Sequence, residues 1–436
     1  MKLNLFFTLA LGLALLIGIS LAGLPEKHLS KFYAVMSKTY MRDLTHNILE
    51  TRSSLAKSLN IIHFPYWFRE SSIPVFNITL TPEDILVMNN NLPKDFFSGD
   101  VLGPENKVFV PAIFNSEKYT SDVKIRYRGW ASNHWINAQR SLLIKFPEEN
   151  LFNGMKSLDL IVSRDRGYLI DILNNERLRR HGLVPSNMFF ARVSINGKDA
   201  GIYFVKERYS EFWLEKNGIP PDSEVFSQVR VPDPGTPAYD FGIDDYDAWT
   251  REIHTENPLF GELEKLFRLV KDSSDEKFYA DIGNFLDLEK WYKAITINIL
   301  AGDTHSLREN LNLLYNGETG KSEPLLEDIN IYNRYIYNPE KIYSDRLDLL
   351  SRRILSNEIF YARFKEILRS MSDPAELEYD LKFYDELYAK LKPEFYKDQT
   401  KYKNDFNVTN EIEELRGWII QNYKNAGLFQ TYKFQR

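Results

Sequence analysis

The spacing of apolar side chains divides the chain into a part with strand periodicity and a part with helix periodicity. Between residues 122 and 207, apolar and polar residues alternate in short runs such as DVKIRYRGW and RSLLIKF, which is typical of half-buried strands. From residue 248 onward, apolar residues recur every three or four positions, as in LFGELEKLFRLVKD and EIFYARFKEILRSM. A sheet-rich half followed by a helix-rich half predicts an α+β fold with two lobes.

Turn and capping residues predict where several elements begin and end. Asn196-Gly197 separates two apolar runs and is a strong signal for a tight β-hairpin. The run LIDILNNERLRRHG before it predicts a helix with Gly182 as its C-cap. The run TPEDILVMNNN predicts a short helix capped by Thr81. Two strands, a helix and a hairpin then form a mixed sheet with one helix packed on it.

Composition shifts predict four segments. Residues 1–22 are an N-terminal targeting segment, and residues 23–120 are an extension with a helix and short strands such as VFNITLT and KVFVPAIF. Residues 121–219 form the sheet-rich lobe, and residues 220–436 form the helical lobe. The helical lobe opens with a connection rich in Pro, Gly and Asp over residues 220–246.

The N-terminal apolar run predicts export. Lys2 precedes an unbroken apolar stretch from Leu5 to Leu21, and Ser20-Leu21-Ala22 offers small residues for cleavage. This pattern is typical of a secretory signal peptide cleaved after about residue 22. An uncleaved membrane anchor is the alternative, since the run approaches the length that spans a bilayer. In either case we expect the remaining chain to lie outside the cytoplasm, with membrane contact only through this segment.

Composition narrows the chemistry. The net charge of −6 gives no basic footprint, so we expect no nucleic-acid partner. The 436 residues include no Cys, which excludes disulfides, thiolate zinc sites and a Cys nucleophile. With only seven His, a His-rich metal site is not expected either.

The stretch from Ala301 to Tyr332 carries the most concentrated candidate chemistry. A predicted helix breaks at Gly302, and Asp303 and Asn310 follow before the apolar run LNLLY. The turn NGETGK leads to a second apolar run that carries Asp328. This order brings two carboxylates and an amide to the same end of a hairpin, as in the phosphotransfer site of protein kinases. The alternative is a solvated hairpin whose Asp and Asn side chains lie in turns.

An ordered series of motifs runs from residue 122 to residue 332. In chain order, these are R-G-x-x-S-x-x-W, S-x-x-I-K-F, L-x-L-x-x-x-R-D-R, R-x-G-L, I-N-G-x-x-x-G-I-Y-x-x-x-E and G-D-x-H with N-L-x-L-L-Y. This series resembles the spore-coat-protein-H (CotH) kinase-like family, whose members have an atypical bilobed protein-kinase fold. The hairpin motif that ends at Glu207 is its most specific part.

The resemblance implies a nucleotide site on the sheet-rich lobe. Arg128, Gly129 and Ser132 lie in a loop between two strands, where backbone N–H groups can meet phosphate oxygens. No G-x-G-x-x-G is present, and an ordinary strand connection is the alternative. The family places a Lys where this chain has Arg140, and Lys145 is the other cation available on that strand.

Two acidic residues complete the implied nucleotide site. Glu176, on the helix after Arg164-Asp165-Arg166, is the chosen partner of the strand cation, with Asp171 and Asn175 as rivals on the same helix. A surface position is the alternative for Glu176. Glu207 falls where a kinase hinge meets the adenine, so its backbone matters more there than its side chain.

For catalysis, the resemblance implies that Asp303 orients the acceptor hydroxyl and takes its proton. Asn310 and Asp328 are the expected ligands of Mg²⁺ or Mn²⁺, with Asn312 as a rival to Asn310. The family often has a second Asp where this chain has Asn330, which leaves the metal set one charge poorer.

Two further matches to catalytic patterns are set aside. Asp240-Phe241-Gly242 spells the kinase metal motif, but it precedes Asp303 and lies in an Asp-rich connection, so we interpret it as a solvated loop. His305 lies in the catalytic stretch, and a single His is more often a hydrogen-bonded structural residue.

The resulting hypothesis is an exported atypical kinase that transfers the γ-phosphate of ATP to Ser or Thr of an envelope or coat protein. The alternative is a catalytically weak or inactive kinase-like protein that binds partners or has a structural role at the surface. Arg140, Asn330 and export to a compartment poor in ATP favour this alternative. The sequence does not determine an oligomeric state.

Overall fold

The computed structural model describes residues 58–93, 101–228, 249–254, 261–303, 306, 310–329, 347–401 and 403–432. The predicted targeting segment, Asp240-Phe241-Gly242, His305 and Asn330 lie outside the described residues. Within those described ranges, no helix is long and apolar enough to cross a membrane.

Seven strands form a closed barrel in the sheet-rich half. They pair in the order β1-β2-β3-β4-β5-β7-β6, with β1 parallel to β6 and all other pairs antiparallel. The strands are β1 Val75–Thr79, β2 Val110–Ser116, β3 Tyr119–Tyr127, β4 Leu142–Lys145, β5 Ser157–Val162, β6 Met188–Ile195 and β7 Lys198–Glu207. The predicted lobe boundary at residue 120 falls within β3. Strands β1 and β2, which precede that boundary, belong to the same sheet as the later strands.

Alternation along the barrel strands separates an apolar interior from a polar outer face. Alternate residues of β5, Leu158 and Leu160, pack in the interior core. Asp159 lies between them and projects from the opposite face. The strand register pairs Asp159 with Lys206 of β7, so polar side chains from neighbouring strands meet on this outer face.

The hairpin predicted at Asn196-Gly197 is confirmed. It joins β6 to β7, and both turn residues have positive φ, 51° for Asn196 and 74° for Gly197. The Asn196 side chain accepts a hydrogen bond from the Leu80 N–H (2.8 Å) and donates one to the Leu80 carbonyl (2.9 Å). The turn therefore also fixes the chain that leaves β1.

Among the described residues, four α-helices accompany the barrel: α1 Phe64–Trp67, α2 Pro82–Asn90, α3 Ile170–Arg180 and α4 Glu211–Lys216. The predicted Thr81 cap is confirmed, since its hydroxyl accepts a hydrogen bond from the Asp84 N–H at 3.1 Å. The helix predicted before Gly182 is α3, and Gly182 follows it with φ of 72°.

A second antiparallel sheet has the order β11-β10-β8-β9. Its strands are β8 Glu224–Gln228, β9 Trp249–Arg251, β10 Asn312–Asn316 and β11 Lys321–Leu325. The predicted hairpin between β10 and β11 is confirmed. The prediction that residues 220–246 form only a connection was wrong for β8. Its polar residues gave no strand signal, yet it pairs with the distant β10.

Helices dominate the C-terminal half, as predicted. They are α5 Gly261–Asp272, α6 Asp275–Phe285, α7 Leu288–Ala301, α8 Leu349–Ser356, α9 Glu358–Met371, α10 Pro374–Lys397 and α11 Asp405–Thr431. The largest hydrophobic core surrounds α7 and also takes in Leu173 of α3 and Phe204 of β7. The fold is therefore α+β, and α3 packs in the core of the helical half.

Candidate active site

The β10–β11 hairpin brings Asn310 and Asp328 together. Asn310 lies just before β10 and Asp328 just after β11, and Asn312 pairs with Leu325 at this end of the hairpin. The Asn310 amide donates a hydrogen bond to the Asp328 carboxylate at 3.0 Å. Asp328 has φ of 56°, in the left-handed region that Asp tolerates better than most residues. The two predicted metal ligands are therefore neighbours in space.

Arg166, which the sequence did not single out as a site residue, also binds Asp328. Its guanidinium forms an ion pair with the Asp328 carboxylate and lies 3.6 Å from the Asp171 carboxylate. Both Arg166 and Asp171 are buried. Burial raises the pKa of Asp171 to about 7, with Arg166 opposing the shift and Asp328 adding to it.

The acidic side chain that α3 presents to this cluster is Asp171. The chosen residue, Glu176, instead accepts hydrogen bonds from Arg179 (2.6 and 2.8 Å) and Tyr379 (2.9 Å). The separation of five positions between Asp171 and Glu176 corresponds to about 140° of rotation about the helix axis. Glu176 therefore points away from Arg166, and the structure offers no support for its pairing with a strand cation.

The loop that begins at Gly129 packs against the same cluster. Gly129 has φ of 94°, and a Cβ there would lie 2.2 Å from the His134 ring. The His134 Nδ1 is 3.4 Å from the Asp165 carboxylate, and Asn133 donates a hydrogen bond to that carboxylate. Burial lowers the pKa of His134 to about 4, so the ring is neutral at physiological pH. Glycine is thus required at 129 by both its backbone angle and the close ring.

Ser132 and Arg128 lie at either side of this turn. Ser132 begins a short 3₁₀ turn, and its carbonyl accepts hydrogen bonds from the N–H groups of Trp135 (3.1 Å) and Ile136 (2.9 Å). Arg128 forms a 3.1 Å ion pair with the buried Asp159. Burial alone would raise the pKa of Asp159, but Arg128 and other cations lower it below its usual value.

The two candidate strand cations lie in different surroundings. Arg140 donates hydrogen bonds to Asn89 of α2 and to the Tyr127 hydroxyl (2.9 Å), so these contacts hold it toward α2. Lys145 has its Nζ 5.0 Å from the centre of the Phe109 ring. Burial lowers the pKa of Lys145, and the nearby Arg208 and Arg126 lower it further.

A group of cations shares the surroundings of Lys145. Lys107, Arg126 and Arg208 were not singled out from the sequence. Burial and repulsion from Arg126, Arg128 and Arg208 lower the pKa of Lys107 to about 8. Burial and repulsion from Arg208 also lower the pKa of Arg126 to about 10. Such crowding of cations favours an anionic ligand.

The sequence did contain a signal for this group. Lys124 and Arg126 near the end of β3 and Arg128 just after it occupy every second position, so the two strand residues project from one face. Lys206 of β7 adds a further cation, and it pairs with Glu327, the residue before Asp328. The cations and the Asp328 loop are therefore linked at β7.

Asp303 and Glu207 lie at the ends of their elements, as predicted. Asp303 follows α7 and Gly302, whose φ is 65°, and its buried carboxylate accepts a hydrogen bond from the Ser306 N–H at 3.1 Å. Glu207 ends β7, and its carboxylate accepts hydrogen bonds from Asn187 and Lys216, both at 3.0 Å. The Glu207 side chain is therefore engaged within the protein.

The residues around Asp328 carry oxygen atoms of the kind that bind a hard divalent cation. In the part of the chain that the structure describes, no three His, Cys, Asp or Glu side chains form a metal-binding group. Asp328 supplies a carboxylate, and the buried Asp171 Oδ2 accepts no hydrogen bond. The Asn310 amide turns its N–H group toward Asp328, so its oxygen would bind a metal here only after the amide rotates. Mg²⁺ commonly uses one or two carboxylates and completes its shell with water and substrate phosphates. A metal in that role would have to share the Asp328 carboxylate with the N–H donors of Arg166 and Asn310 or displace them.

Comparison with known proteins identifies the family. The family described as CotH kinase protein matches residues 125–426, more than half of the chain. The chain belongs to the CotH family. Over 348 residues it is 22% identical to the inner spore coat protein H of Bacillus subtilis (strain 168). The aligned region covers 77% of this chain and 91% of that protein.

The CotH match extends beyond the motifs that the sequence analysis recognised. Those motifs end at residue 332, whereas the match continues to residue 426 and includes α10 and most of α11. The C-terminal helices are therefore part of the CotH unit, along with the Asp328 loop and the barrel cations from Arg126 onward, whereas Lys107 precedes the match.

Proposed function

We propose that this chain is an atypical protein kinase that transfers the γ-phosphoryl group of ATP to Ser or Thr of a coat or envelope protein. The supporting observation is the joining of Asp328, Asn310 and Arg166 in one cluster beside a cation-lined sheet face, in a chain of the CotH kinase protein family. Kinase catalysis consists mostly of positioning and charge stabilisation, which such an arrangement can provide.

In this proposal, Asp328 and Asn310 hold Mg²⁺ or Mn²⁺, which when bound neutralises charge on the transferred phosphoryl group. Lys107, Arg126 and Lys145 attract the triphosphate, and the tight turn at Gly129 covers it. Lys107 and Arg126 extend the predicted nucleotide set, to which Lys145 already belongs. Arg140 is held by Asn89 and Tyr127, and these contacts do not support its role in that set.

Asp303 accepts the proton of the acceptor hydroxyl in the transfer step. The hydroxyl oxygen forms a bond to the γ-phosphorus, and the bond from that phosphorus to the β–γ bridging oxygen breaks. ADP leaves with the electron pair of the broken bond, and the proton remains on the Asp303 carboxylate until it passes to solvent. The buried position of Asp303 beside Ser306 restricts its orientation, which helps to align the hydroxyl.

The proposal includes the two-lobed arrangement of protein kinases, in which the barrel and the helical half are the lobes and the site lies between them. It also includes export through the N-terminal segment, since the relative is named as a spore coat protein. A coat or envelope protein is the proposed phosphate acceptor.

A second candidate function is a kinase-like coat protein without catalysis. The observation that favours it is the Arg166 guanidinium, which already occupies the Asp328 carboxylate and would compete with a metal there. Arg140 at the Lys place of the family, with its contacts to Asn89 and Tyr127, points the same way.

Thermal unfolding with ATP and Mn²⁺ separates the two functions, because a ligand that binds only the folded state raises its stability. We expect stabilisation of the wild type, none for Asp328→Ala, and the wild-type response for Asp281→Ala, a half-buried residue that pairs with Lys277 on α6. Transfer of label from [γ-³²P]ATP to the chain or to coat extracts then tests catalysis. A wild type without nucleotide-dependent stabilisation would favour the non-catalytic function.

A further inference from the structure

Helix α3 holds both backbone polar groups of Ile329, the residue that follows Asp328. The Ile329 N–H donates to the Asp171 carboxylate at 3.0 Å, and the Ile329 carbonyl accepts from the Asn174 amide at 2.6 Å. Asp171 and Asn174 are one helical turn apart and are both buried. The backbone beside Asp328 is therefore fixed by two side chains of one helix.

The other end of the Asn174 amide faces a buried ion pair. Its Oδ1 accepts a hydrogen bond from Arg177 at 2.7 Å. Because a guanidinium only donates, this contact fixes which end of the amide faces Ile329. The Arg177 Nε in turn donates to Asp380 of α10 at 2.6 Å.

Helix α11 completes this series of contacts. The Tyr423 hydroxyl donates to the same Asp380 oxygen at 2.7 Å, and the Arg177 guanidinium lies 5.6 Å from the centre of the Tyr423 ring. We call the contacts among Ile329, Asn174, Arg177, Asp380 and Tyr423 the relay. It connects the Asp328 loop to the two C-terminal helices through buried side chains.

The relay places a charged pair in the protein interior, where the loss of hydration is unfavourable. Arg177 and Asp380 are 1% and 0% exposed, and a buried ion pair often stabilises a fold no better than apolar residues of similar volume. Its value lies in geometry, since each hydrogen bond fixes a direction as well as a distance. The side-chain orientations therefore transmit the placement of α10 and α11 to the Ile329 backbone.

We propose that the relay positions the Asp328 carboxylate, with Asn174 as a positioning residue and α10 and α11 as the support. This inference rests on the proposed function, because it gives Asp328 the role of metal ligand. It also assigns a role to C-terminal helices that carry none of the recognised motifs.

Amide hydrogen exchange of peptides that contain Ile329 tests the relay without any ligand. We expect Asn174→Ala to increase the exchange rate of this amide about tenfold and Tyr423→Phe about threefold, with peptides of β6 and β7 unchanged. Asn175→Ala is the matched control, since the Asn175 amide also donates to a backbone carbonyl at 2.8 Å and accepts at its Oδ1, at 2.8 Å, but both partners belong to Ser186. Tyr384→Phe is the second control, because its hydroxyl donates to Ile412 instead of Asp380.

The functional half is tested by the Mn²⁺ concentration that gives half-maximal stabilisation by ATP. We expect this concentration to rise about tenfold in Asn174→Ala, while ATP affinity without metal stays unchanged. Equal exchange in Asn174→Ala and Asn175→Ala would overturn the relay. Faster exchange with unchanged Mn²⁺ dependence would overturn its role in positioning Asp328.

The two proposals can fail separately. A wild type that binds no Mn²⁺ with ATP would overturn the proposed function and, with it, the metal role of Asp328. The exchange comparison would still decide whether α10 and α11 fix the Ile329 backbone.

Discussion

The guanidinium of Arg166 and the carboxylate of Asp328 form a direct ion pair across 162 residues of chain. Arg166 comes from the turn that precedes α3, and Asp328 comes from the loop that follows β11. The contact places an internal cation at the carboxylate that we propose as a metal ligand. A bound metal must therefore share this carboxylate with Arg166 or displace it.

Replacing Arg166 by Met should lower the free energy of unfolding by about 3 kcal/mol, because the removal of one partner leaves buried acids uncompensated. Mn²⁺ should restore more stability to this variant than it adds to the wild type, since the metal replaces the lost positive charge. Denaturant unfolding with and without Mn²⁺ measures both effects.

Arg164→Met provides the control for this prediction. The Arg164 side chain is 42% exposed, against 6% for Arg166, and it lies 4.0 Å from Glu411. We expect a change within about 0.5 kcal/mol and a wild-type response to Mn²⁺. An identical Mn²⁺ response in Arg166→Met and the wild type would show that Arg166 and the metal do not compete.

The raised pKa of Asp171 predicts a pH dependence of stability. Burial, with a contribution from Asp328 and against the effect of Arg166, raises this pKa from 3.8 to about 7. Between these two values the folded chain keeps a proton that the unfolded chain has lost. The group therefore lowers the free energy of unfolding as pH rises from about 4 to about 7.

Asp171→Asn removes this titration and can still accept the Ile329 N–H. Its stability relative to the wild type should increase by about 2 to 4 kcal/mol between pH 4.5 and pH 8, since each pKa unit corresponds to about 1.4 kcal/mol. Urea unfolding at the two pH values gives the difference. A constant difference across this range would mean that Asp171 titrates near its ordinary value.

Gly129→Ala tests the tight turn beside His134. The substitution combines a φ of 94° with a Cβ only 2.2 Å from the His134 ring, so we expect a loss of more than about 2 kcal/mol and weaker ATP binding. Gly154→Ala separates the two causes, because Gly154 has φ of 74° and no atom within 4 Å of the added Cβ. Equal losses in the two variants would show that the contact with His134 is unimportant.

Local sequence signals predicted the features that depend on neighbouring residues. The turn at Asn196-Gly197 and the hairpin that joins Asn310 to Asp328 each arise within a short stretch, so their residues carried the information. The pairing of Arg166 with Asp328 depends on the packing of the barrel against the helical half, which no local pattern records. Asp171, and not Glu176, lies near Arg166 because the face of α3 that carries Asp171 packs against this cluster.

The barrel shows the same limit. Strand β1 was recognised from its apolar residues, but its parallel pairing with β6 joins residues more than a hundred positions apart. The cation group was visible as alternate basic residues in β3. The crowding of cations also depends on Lys107, which precedes β2, and on Arg208, which follows β7, and neither gave a local signal.

Arg126→Ala tests the cation group through two effects of opposite sign. Burial, with a smaller contribution from neighbouring cations, lowers the pKa of Arg126 to about 10. Its charge is therefore unfavourable in the free protein, and its removal should leave stability unchanged or raise it. The same change should increase the ATP concentration for half-saturation about tenfold, because a charge-assisted contact to phosphate is lost. Calorimetric titration with ATP and Mn²⁺, together with urea unfolding, measures both quantities. Lys198→Ala, at an exposed position at the start of β7, should change neither. If Arg126→Ala weakened folding and left ATP affinity intact, the cation group would have a structural role and the phosphates would bind elsewhere.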